Sequence, residues 1–484
     1  MRTGLKRRTK IVATLGPSTD TPEVIAGIVE AGVDVVRLNF SHGKPEHHKH
    51  RAQMVREVAA RTGRHVAILG DLQGPKIRID RFRNGKVTLA EGAPFVLDAE
   101  LDKDDGDETH VGITYKQLVQ DSRPGDVLLL DDGRIVFKVR EVIGQQIHCT
   151  TLVGGELSNN KGINRQGGGL SAPAITEKDR EDIRLAAEIG VDYIAVSFPR
   201  SGADIHEARA LLKAAGSSAA IVAKIERAEA VDSIREIVEA SDSIMIARGD
   251  LGVEIGDAEL PAVQKAFIRL ARDMNRPVIT ATQMMETMIV NPIPTRAEVF
   301  DVANAVLDGT DAVMLSGETA SGRYPVKVVE TMARICERAE SQIEAKTPQP
   351  PLDIPFDRID QAIAMTAIYV ANHLPVRAIV ALTESGATPL WMSRVDTDIP
   401  IYGLTRREAT ARLMALYRGV EAVHFPYESK DHAEVNRIII EDLCRREMLG
   451  DGDVVVITKG DLMGQMGGTN AMKIVRVGDV IGSA

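Results

Sequence analysis

A lysine and two carboxylates follow two apolar runs of this chain. Lys224 and Glu226 close the run Ile-Val-Ala-Lys-Ile-Glu, and Asp250 follows the run Ser243 to Ala247. Apolar residues at successive positions are typical of parallel strands covered on both faces by helices. Ligand sites of such sheets lie where the strands end, so the three residues are candidates for a catalytic or metal site. The alternative is a purely structural Lys224–Glu226 ion pair, since residues two apart point the same way from a strand.

An alternation of strand-like and helical stretches predicts the elements that position these residues. The predicted strands are Lys10 to Gly16, Val33 to Phe40, His65 to Leu72, Tyr193 to Phe198, Ala220 to Ile225, Ser243 to Ala247, Pro277 to Ala281 and Ala312 to Leu315. Eight such strands alternating with helices predict a closed (β/α)8 barrel. Where the alternation resumes after about Ser171, Thr176-Glu-Lys-Asp179 predicts a capping box at a helix start.

Each predicted strand ends in polar or charged residues, which a barrel places on its C-terminal rim. Besides Lys224, Glu226 and Asp250, these are Arg37, Asn39, Ser41, Asp71, Ser197, Thr282, Ser316 and Glu318.

Two segments interrupt or follow the barrel pattern. Short apolar runs between hairpin-type turns such as Asn84-Gly85 and Asp132-Gly133 predict an inserted small β domain, closed by a Gly167-Gly-Gly169 hinge. A Pro-rich connector, Thr347 to Pro355, then precedes a third unit with the order of an open α/β sheet. The predicted domains are residues 1–71 and 171–345 for the barrel, 72–170 for the β lid, and 346–484 for the C-terminal α/β domain.

Composition excludes some classes of function. The 484 residues carry a net charge of -10, so bulk binding to nucleic acid or to a membrane surface is not expected. No apolar run approaches the ~18 residues needed to span a bilayer. The basic start, Arg2 to Lys10, is not followed by the apolar region of a signal peptide. Cys149, Cys336 and Cys444 are odd in number and far apart, which favours a reducing cytoplasm.

Several motifs occur together in one order. They are Gly32-Val-Asp-Val-Val-Arg37-Leu-Asn39-Phe-Ser41-His42-Gly43, Ala223-Lys224-Ile-Glu226, Ala247-Arg-Gly-Asp250-Leu-Gly, Ala281-Thr282-Gln283-Met, Pro294-Thr-Arg-Ala-Glu298 and Met314-Leu-Ser-Gly-Glu318-Thr-Ala. With these motifs the chain resembles the pyruvate kinase family over essentially its whole length. The resemblance implies a barrel with a β lid and a C-terminal regulatory domain, the same layout that turns and periodicity predict.

The resemblance implies a glycolytic phosphotransferase that moves a phosphoryl group from phosphoenolpyruvate to ADP, giving pyruvate and ATP. Glu226 and Asp250 supply the hard oxygen ligands that Mg2+ prefers, with Mn2+ as a substitute. Lys224 can stabilise the phosphoryl group as it leaves the enolate oxygen. Arg37, Gly249, Asp250 and Thr282 are expected to contact the substrate. Thr282, Ser316 and Glu318 are all candidates for protonating the enolate carbon, and no single one is favoured.

The family's nucleotide-contacting segment matches Asn39, Phe40, Ser41 and His42, and Arg78 and Lys161 are carried over as further nucleotide contacts. An isolated Arg such as Arg37 or Arg78 is more commonly part of a salt bridge, and Lys161 taken alone is an ordinary exposed lysine. The histidines His42, His47, His48 and His50 resemble a metal cluster, but no Cys or carboxylate completes a ligand set at the usual spacing.

The family's potassium ligands match Asn39, Ser41, Asp71 and Leu72, but the chain departs from the family here. The common Asp-Thr-Lys-Gly-Pro-Glu-Ile-Arg is Asp71-Leu72-Gln73-Gly74-Pro75-Lys76-Ile77-Arg78. A fixed ammonium at Lys76 near Asp71 would supply the charge of the ion and repel a second cation. Potassium is therefore expected to be unnecessary. Ser171 stands where many relatives carry an Asp that helps lid closure.

The C-terminal loop Thr383-Glu384-Ser385-Gly386-Ala387-Thr388 corresponds to the family's effector loop. Its hydroxyls and glycine follow a strand and could cradle a phosphate, with Thr383, Ser385, Gly386 and Thr388 as the expected contacts. Glu384 is expected to disfavour a dense anion, and the loop Lys459 to Gly468 lacks an Arg. AMP or a sugar monophosphate is thus expected rather than fructose 1,6-bisphosphate. An ordinary turn without a ligand is the alternative.

Two other classes of protein stay open at this point. A metal-dependent barrel lyase acting on pyruvate or phosphoenolpyruvate could use the same carboxylates, but it would not need the lid or the third domain. A metabolite sensor derived from a decayed kinase would be expected to lose Lys224 or a metal carboxylate, and the chain retains all three. The family resemblance also implies a homotetramer.

Overall fold

The computed structural model describes residues 7–342, 356–427, 431–461 and 466–479. The Pro-rich connector and part of the loop between Lys459 and Gly468 lie outside the described residues. Contacts along the chain define two compact units. The first comprises Met1–Gly70, Ile189–Tyr193 and Ile268–Ala484, and the second comprises Asp71–Glu188 and Ile194–Phe267.

Eight parallel strands form a closed barrel in the order β1-β16-β15-β14-β13-β12-β3-β2. They are β1 (Lys10–Leu15), β2 (Val35–Asn39), β3 (Ala67–Asp71), β12 (Tyr193–Val196), β13 (Ala220–Ile225), β14 (Ser243–Ala247), β15 (Val278–Ala281) and β16 (Ala312–Leu315). The predicted barrel is confirmed, with strand bounds within two residues of the prediction. Its strands could be predicted because their apolar runs are buried along their whole length, as in β1 and β14.

The second unit contains the lid. Its strands are β4 (Lys86–Leu89), β5 (Pro94–Asp98), β6 (His110–Gly112), β7 (Val127–Leu130), β8 (Ile135–Ile143), β9 (Gln146–Val153), β10 (Gly155–Ser158) and β11 (Ile163–Arg165). Six of them form a sheet in the order β11-β7-β8-β9-β5-β6, and β10 pairs with β4. Alternate residues of β8 point into a core in which Phe137 stacks on Phe95 with ring centroids 5.2 Å apart.

The C-terminal part of the first unit contains a five-stranded sheet in the order β19-β18-β17-β20-β21. Its strands are β17 (Val376–Leu382), β18 (Ile401–Thr405), β19 (Val420–His424), β20 (Val454–Gly460) and β21 (Thr469–Arg476). β21 runs antiparallel to β20, whereas the other pairs are parallel. The predicted open α/β sheet is confirmed.

The helices connect these strands. They are α1 (Pro22–Glu30), α2 (Pro45–Thr62), α3 (Leu118–Asp121), α4 (Glu177–Ile189), α5 (Gly202–Ala214), α6 (Ala228–Asp232), α7 (Ile234–Ala240), α8 (Arg248–Ile255), α9 (Leu260–Asp273), α10 (Arg296–Leu307), α11 (Gly317–Ala320), α12 (Pro325–Glu340), α13 (Ile359–His373), α14 (Ala387–Met392), α15 (Glu408–Met414) and α16 (His432–Arg445). Short 3-10 turns span Pro17–Thr19 and Glu286–Ile289.

The predicted capping box before α4 is confirmed. The Thr176 N–H donates to Asp179 Oδ2 at 2.8 Å, and the Asp179 N–H donates to Thr176 Oγ1 at 3.2 Å. These two bonds satisfy backbone donors that have no partner within the helix. No helix in the described part of the chain is long and apolar enough to cross a membrane.

Candidate active site

The end of β13 places Lys224 among three oxygen groups of the second unit. Its Nζ lies 2.6 Å from Ser197 Oγ, 3.0 Å from Glu226 Oε1 and 3.3 Å from Asp71 Oδ1. We call Asp71, Ser197, Lys224 and Glu226 the Lys224 cluster. All four residues are at most 9% exposed. The Lys224–Glu226 ion pair considered from the sequence therefore forms, but as part of a larger charged group at the strand ends.

Glu226 is fixed within this cluster. Its Oε2 accepts the backbone N–H of Phe198 at 3.0 Å, while Oε1 faces Lys224. Burial raises the pKa of Glu226, the positive charge of Lys224 opposes this rise, and the nearby carboxylates of Asp250 and Asp71 add to it. A second cation in this region would relieve that carboxylate repulsion. Glu226 and Asp250 therefore fit the donor set that Mg2+ prefers.

Asp250 lies in the first turn of α8 and contacts Lys76 from the lid segment. Lys76 Nζ is 3.6 Å from Asp250 Oδ1, with the two side chains 32% and 22% exposed. Lys76 thus contacts a candidate Mg2+ ligand, while the Lys224 ammonium lies 3.3 Å from Asp71. The expected neutralisation of Asp71 by Lys76 stays a prediction. Gly249 precedes Asp250 in the same helical turn.

A small cleft in the second unit is lined by Lys76, Asn164, Arg227, Asp250 and Glu254 among others. Glu254 Oε2 accepts the Ala228 N–H at 2.8 Å, and Oε1 lies 3.4 Å from Asn164 Nδ2. Burial raises the pKa of Glu254 to about 7. Neither Glu254 nor Arg227 was predicted from the sequence. The only signal was a Glu four residues after Asp250 in a helix, and that spacing is common in helices.

Two predicted nucleotide contacts lie on the lid. Arg78 Nη1 donates to the Asn160 carbonyl at 2.8 Å, and Lys161 Nζ lies 2.6 Å from Asp131 Oδ1. Both side chains are thus held by groups of the lid itself. Ser171, also on this side, donates from its backbone N–H to Asp121 Oδ2 at 2.9 Å, and its Oγ is 2.9 Å from the Tyr115 hydroxyl.

The first unit carries the predicted residues within and just after β2. Arg37 Nη1 donates to Thr14 Oγ1 at 3.1 Å, and Asn39 Oδ1 accepts the Ser41 N–H at 3.1 Å. Phe40 is 3% exposed and meets the His48 ring edge-on with centroids 5.1 Å apart. The Phe40 side chain therefore packs in the interior, which leaves its backbone for any contact with a nucleotide. His48 Nε2 lies 2.9 Å from the His42 carbonyl oxygen.

Glu318 connects the segments that follow β15 and β16. It accepts the Ser316 N–H at 2.6 Å and the Met285 N–H at 3.1 Å, and burial raises its pKa. Thr282, three residues before Met285, has a φ of 69°. Positive φ is a genuine outlier for a β-branched residue, and such strain collects at functional sites. The structure thus brings Ser316 and Glu318 together and holds Thr282 in a strained conformation.

The predicted effector loop uses several of its own polar groups. Thr383 Oγ1 accepts the Gly386 N–H at 2.9 Å, and Thr388 Oγ1 lies 2.9 Å from Thr469 Oγ1. Glu384 is 8% exposed and pairs with two arginines, Arg406 at 2.8 Å and Arg407 at 3.3 Å. Glu384 therefore belongs to an ion cluster with two arginines and is not a lone negative charge in the loop. Its charge is outweighed by two cations that sequence reasoning missed.

These contacts describe buried carboxylates and a lysine at the C-terminal ends of barrel strands, the arrangement of a barrel enzyme that acts on a charged substrate. Comparisons with known proteins agree. The model "Pyruvate kinase, barrel domain" matches residues 6–329, and "Pyruvate kinase, alpha/beta domain" matches residues 361–475. The chain belongs to the pyruvate kinase family.

Individual relatives match over nearly the whole chain. Pyruvate kinase II of Salmonella typhimurium is 57% identical over 475 residues, which cover 97% of this chain and 99% of that protein. A pyruvate kinase of Geobacillus stearothermophilus is 43% identical, covering 99% and 81%. A crystal structure of a pyruvate kinase from Cryptosporidium parvum superposes with a TM-score of 0.90 at 34% identity, covering 97% and 96%. The predicted enzyme class is confirmed: a kinase that transfers a phosphoryl group from phosphoenolpyruvate to ADP.

Proposed function

We propose that Lys224, Glu226 and Asp250 carry the phosphoryl transfer of this kinase. The observation that supports the proposal is the Lys224 cluster, in which a buried ammonium is held by Asp71, Ser197 and Glu226 at the end of β13. A buried lysine fixed by three partners needs little reorganisation when negative charge develops beside it. Lys224 therefore stabilises the phosphoryl group while its bond to the enol oxygen breaks and its bond to the ADP oxygen forms.

Glu226 and Asp250 would hold Mg2+, and Mn2+ is an alternative with the same ligand preference. When bound, the metal supplies a Lewis acid for the substrate's oxygens. When no metal is bound, the ammonium of Lys76 balances the charge of Asp250. Arg37 and Thr282 contact the substrate, and the backbone of Gly249 at the start of α8 binds its carboxylate.

After the phosphoryl group has left, the enolate must accept a proton on carbon to become pyruvate. Thr282, Ser316 and Glu318 form the group from which that proton comes. Glu318 contributes by orienting the Ser316 backbone and by holding a proton more readily than an exposed carboxylate. The nucleotide contacts are assigned to Asn39, Phe40, Ser41, His42, Arg78 and Lys161, with Phe40 contributing through its backbone.

The family's potassium site corresponds to Asn39, Ser41, Asp71 and Leu72, and we propose that this chain does not require the ion. The ammonium of Lys224 neutralises Asp71, and Lys76, five residues after Asp71, supplies a second ammonium that is paired with Asp250. Turnover in tetramethylammonium buffer free of sodium and potassium is expected to match turnover with added potassium. Strict dependence on added potassium would contradict the proposal.

We propose further that a phosphorylated metabolite, AMP or a sugar monophosphate, activates the enzyme at Thr383, Ser385, Gly386 and Thr388. Glu384 pairs with Arg406 and Arg407, so the loop carries net positive charge that can attract a phosphate. The loop Lys459 to Gly468 has no Arg for a second phosphate, which favours a monophosphate. Titrating AMP and fructose 1,6-bisphosphate against phosphoenolpyruvate saturation tests this. Stronger activation by the bisphosphate would refute it. A homotetramer and a cytoplasmic location complete the proposal.

One assay tests the function as a whole. Pyruvate release from phosphoenolpyruvate is followed by coupled reduction of pyruvate, with ADP and Mg2+ each present or absent. The proposal predicts pyruvate only when both are present. Pyruvate without ADP would indicate a lyase or a phosphatase, and no pyruvate under any condition would indicate a metabolite sensor.

A further inference from the structure

Four aspartates repeat the same contact at the starts of barrel strands. One such aspartate stands directly before every second strand of the barrel: Asp34 before β2, Asp192 before β12, Asp242 before β14 and Asp311 before β16. In every case the Asp N–H donates to the carbonyl of a residue in the preceding barrel strand, and the Asp Oδ2 accepts the N–H of that same residue. We call this reciprocal pair of bonds the aspartate clamp.

Arginines complete these clamps, and their origins differ. Asp242 pairs with Arg209 of the neighbouring α5, at 3.0 Å. Two clamps receive arginines from the C-terminal part of the chain: Asp192 pairs with Arg412 of α15 at 2.7 Å, and Asp311 pairs with Arg394, which follows α14. The Asp311 and Arg394 side chains are 1% and 6% exposed, and Asp311 Oδ1 also accepts the Arg418 N–H at 3.2 Å. A forked guanidinium on a buried carboxylate is a geometry that lysine cannot reproduce.

Arg394 lies close in sequence to the proposed effector loop. Gly386 of that loop is the N-cap of α14, which ends at Met392, two residues before Arg394. A displacement of the loop would therefore be carried by one short helix to the Asp311 clamp.

The other end of β16 carries residues of the proposed active site. The Leu315 carbonyl accepts the Thr14 hydroxyl at 2.8 Å, and the same hydroxyl accepts Arg37 Nη1 at 3.1 Å. Ser316 follows directly and is held by Glu318. β16 is only four residues long, about 13 Å. A short, fully buried strand transmits a shift at one end to the other, because a packed core deforms little.

We propose that Asp311 is a positioning residue. Its ion pair with Arg394 fixes the position of β16, and β16 in turn fixes the positions of Arg37 and Ser316 at its other end. The inference rests on the proposed substrate contact of Arg37. It makes substrate affinity depend on the C-terminal part of the chain through the Asp311–Arg394 ion pair. The coupling is reciprocal, so substrate binding strengthens that ion pair.

The test compares phosphoenolpyruvate saturation in the full-length enzyme and its Arg394→Lys variant. Arg394→Lys keeps the charge and loses the fork, so it is expected to raise the KM for phosphoenolpyruvate by about 5-fold or more, with kcat within about 2-fold. The control is Asp398→Asn, which removes another ion pair to the C-terminal region, from Arg8 at 2.6 Å, without touching a clamp. An unchanged KM in Arg394→Lys, or an equal rise in Asp398→Asn, would overturn the proposal.

Hydrogen exchange supplies a readout independent of catalysis. Amides of Leu315–Ala320 are expected to exchange faster in Arg394→Lys than in the wild type or in Asp398→Asn, and equal exchange in all three overturns the link. If the wild type made no pyruvate, the proposed function would fail while exchange still tested the clamp. A third variant, Thr14→Val, acts at the far end of β16. The KM of the Thr14→Val/Arg394→Lys double variant should be no higher than the KM of the more affected single variant. A KM that rises by the product of the two single effects would contradict transmission through the strand.

Discussion

Lys76 Nζ lies 3.6 Å from Asp250 Oδ1, so this lysine of the lid segment contacts a candidate magnesium ligand. Two fixed ammonium groups, those of Lys76 and Lys224, thus offset the carboxylates of Asp71, Glu226 and Asp250. This balance gives a physical reason for expecting that a monovalent cation is dispensable.

Reversing the charge at Lys76 should create a requirement for that cation. Lys76→Glu places a carboxylate beside Asp250, which disfavours the active arrangement until a cation binds. We expect turnover without potassium to fall by about 10-fold or more and to recover when potassium is added. Initial rates across a potassium titration measure the effect. Lys138→Glu, at an exposed position of the same lid, is the control and should leave the rate insensitive to potassium.

Glu254 should give the enzyme a pH-dependent stability. Its pKa is raised from 4.5 to about 7 in the folded chain, so between these values the folded state binds a proton that the unfolded state has lost. The contribution of Glu254 to the free energy of unfolding is therefore fully present below about pH 4.5. It is lost as the pH rises through about 7, and the total loss is about 3 kcal/mol.

Glu254→Gln removes this titration while keeping an oxygen for the Ala228 N–H. We expect the variant to match the wild type near pH 4.5 and to be more stable than it above pH 7. Urea unfolding at a series of pH values measures the difference in the free energy of unfolding. A difference that does not change with pH would show that Glu254 ionises normally.

Glu384 should control how strongly the C-terminal loop attracts phosphate. Glu384→Gln removes the counter-ion of Arg406 and Arg407 and leaves both free to bind an anion. The concentration of AMP at half-activation is expected to fall several-fold, and this gain should shrink at high salt because the added attraction is screened. Glu408→Gln, on the exposed side of α15, serves as the control. Weaker activation in Glu384→Gln would mean that the glutamate is needed to orient the arginines.

The sequence was sufficient for elements with strong local patterns. Barrel strands such as β14 are buried along their length, and the capping box of Thr176 and Asp179 is a local contact between residues three apart. The lid strands β6, β10 and β11 were not predicted, and β6 and β11 show why. Each has three residues and exists because a distant strand pairs with it, as Ile163 does with Leu130.

The same limit applies to the candidate site. Lys224, Glu226 and Asp250 could be selected because charge at the end of an apolar strand is conspicuous. The partner of Lys76 could not be predicted. A side chain on a lid segment can reach any of several carboxylates, and only the fold decides which of them lies near it. The arginines that neutralise Glu384 follow a different strand, β18, so no local pattern connects them to the loop.

Lys224 is the residue on which the proposed chemistry depends most. Lys224→Met removes the positive charge and leaves Glu226 and Asp71 buried without their partner, a loss of about 3–5 kcal/mol of stability. Lys178→Met, which removes an exposed lysine paired with Asp182, is the control and should keep full activity. Both variants are first checked for a cooperative unfolding transition, so that lost activity is not confused with lost structure.

The most direct measurement separates the two half-reactions in Lys224→Met. Rapid-quench transfer of the phosphoryl group from phosphoenolpyruvate to ADP is expected to fall by on the order of 10³-fold. Exchange of the pyruvate methyl protons with deuterated water is the step that we assign to Thr282, Ser316 and Glu318, and it is expected to fall far less. Phosphoryl transfer that stays within 10-fold of the wild type, or proton exchange that falls as much as transfer does, would contradict the role assigned to Lys224.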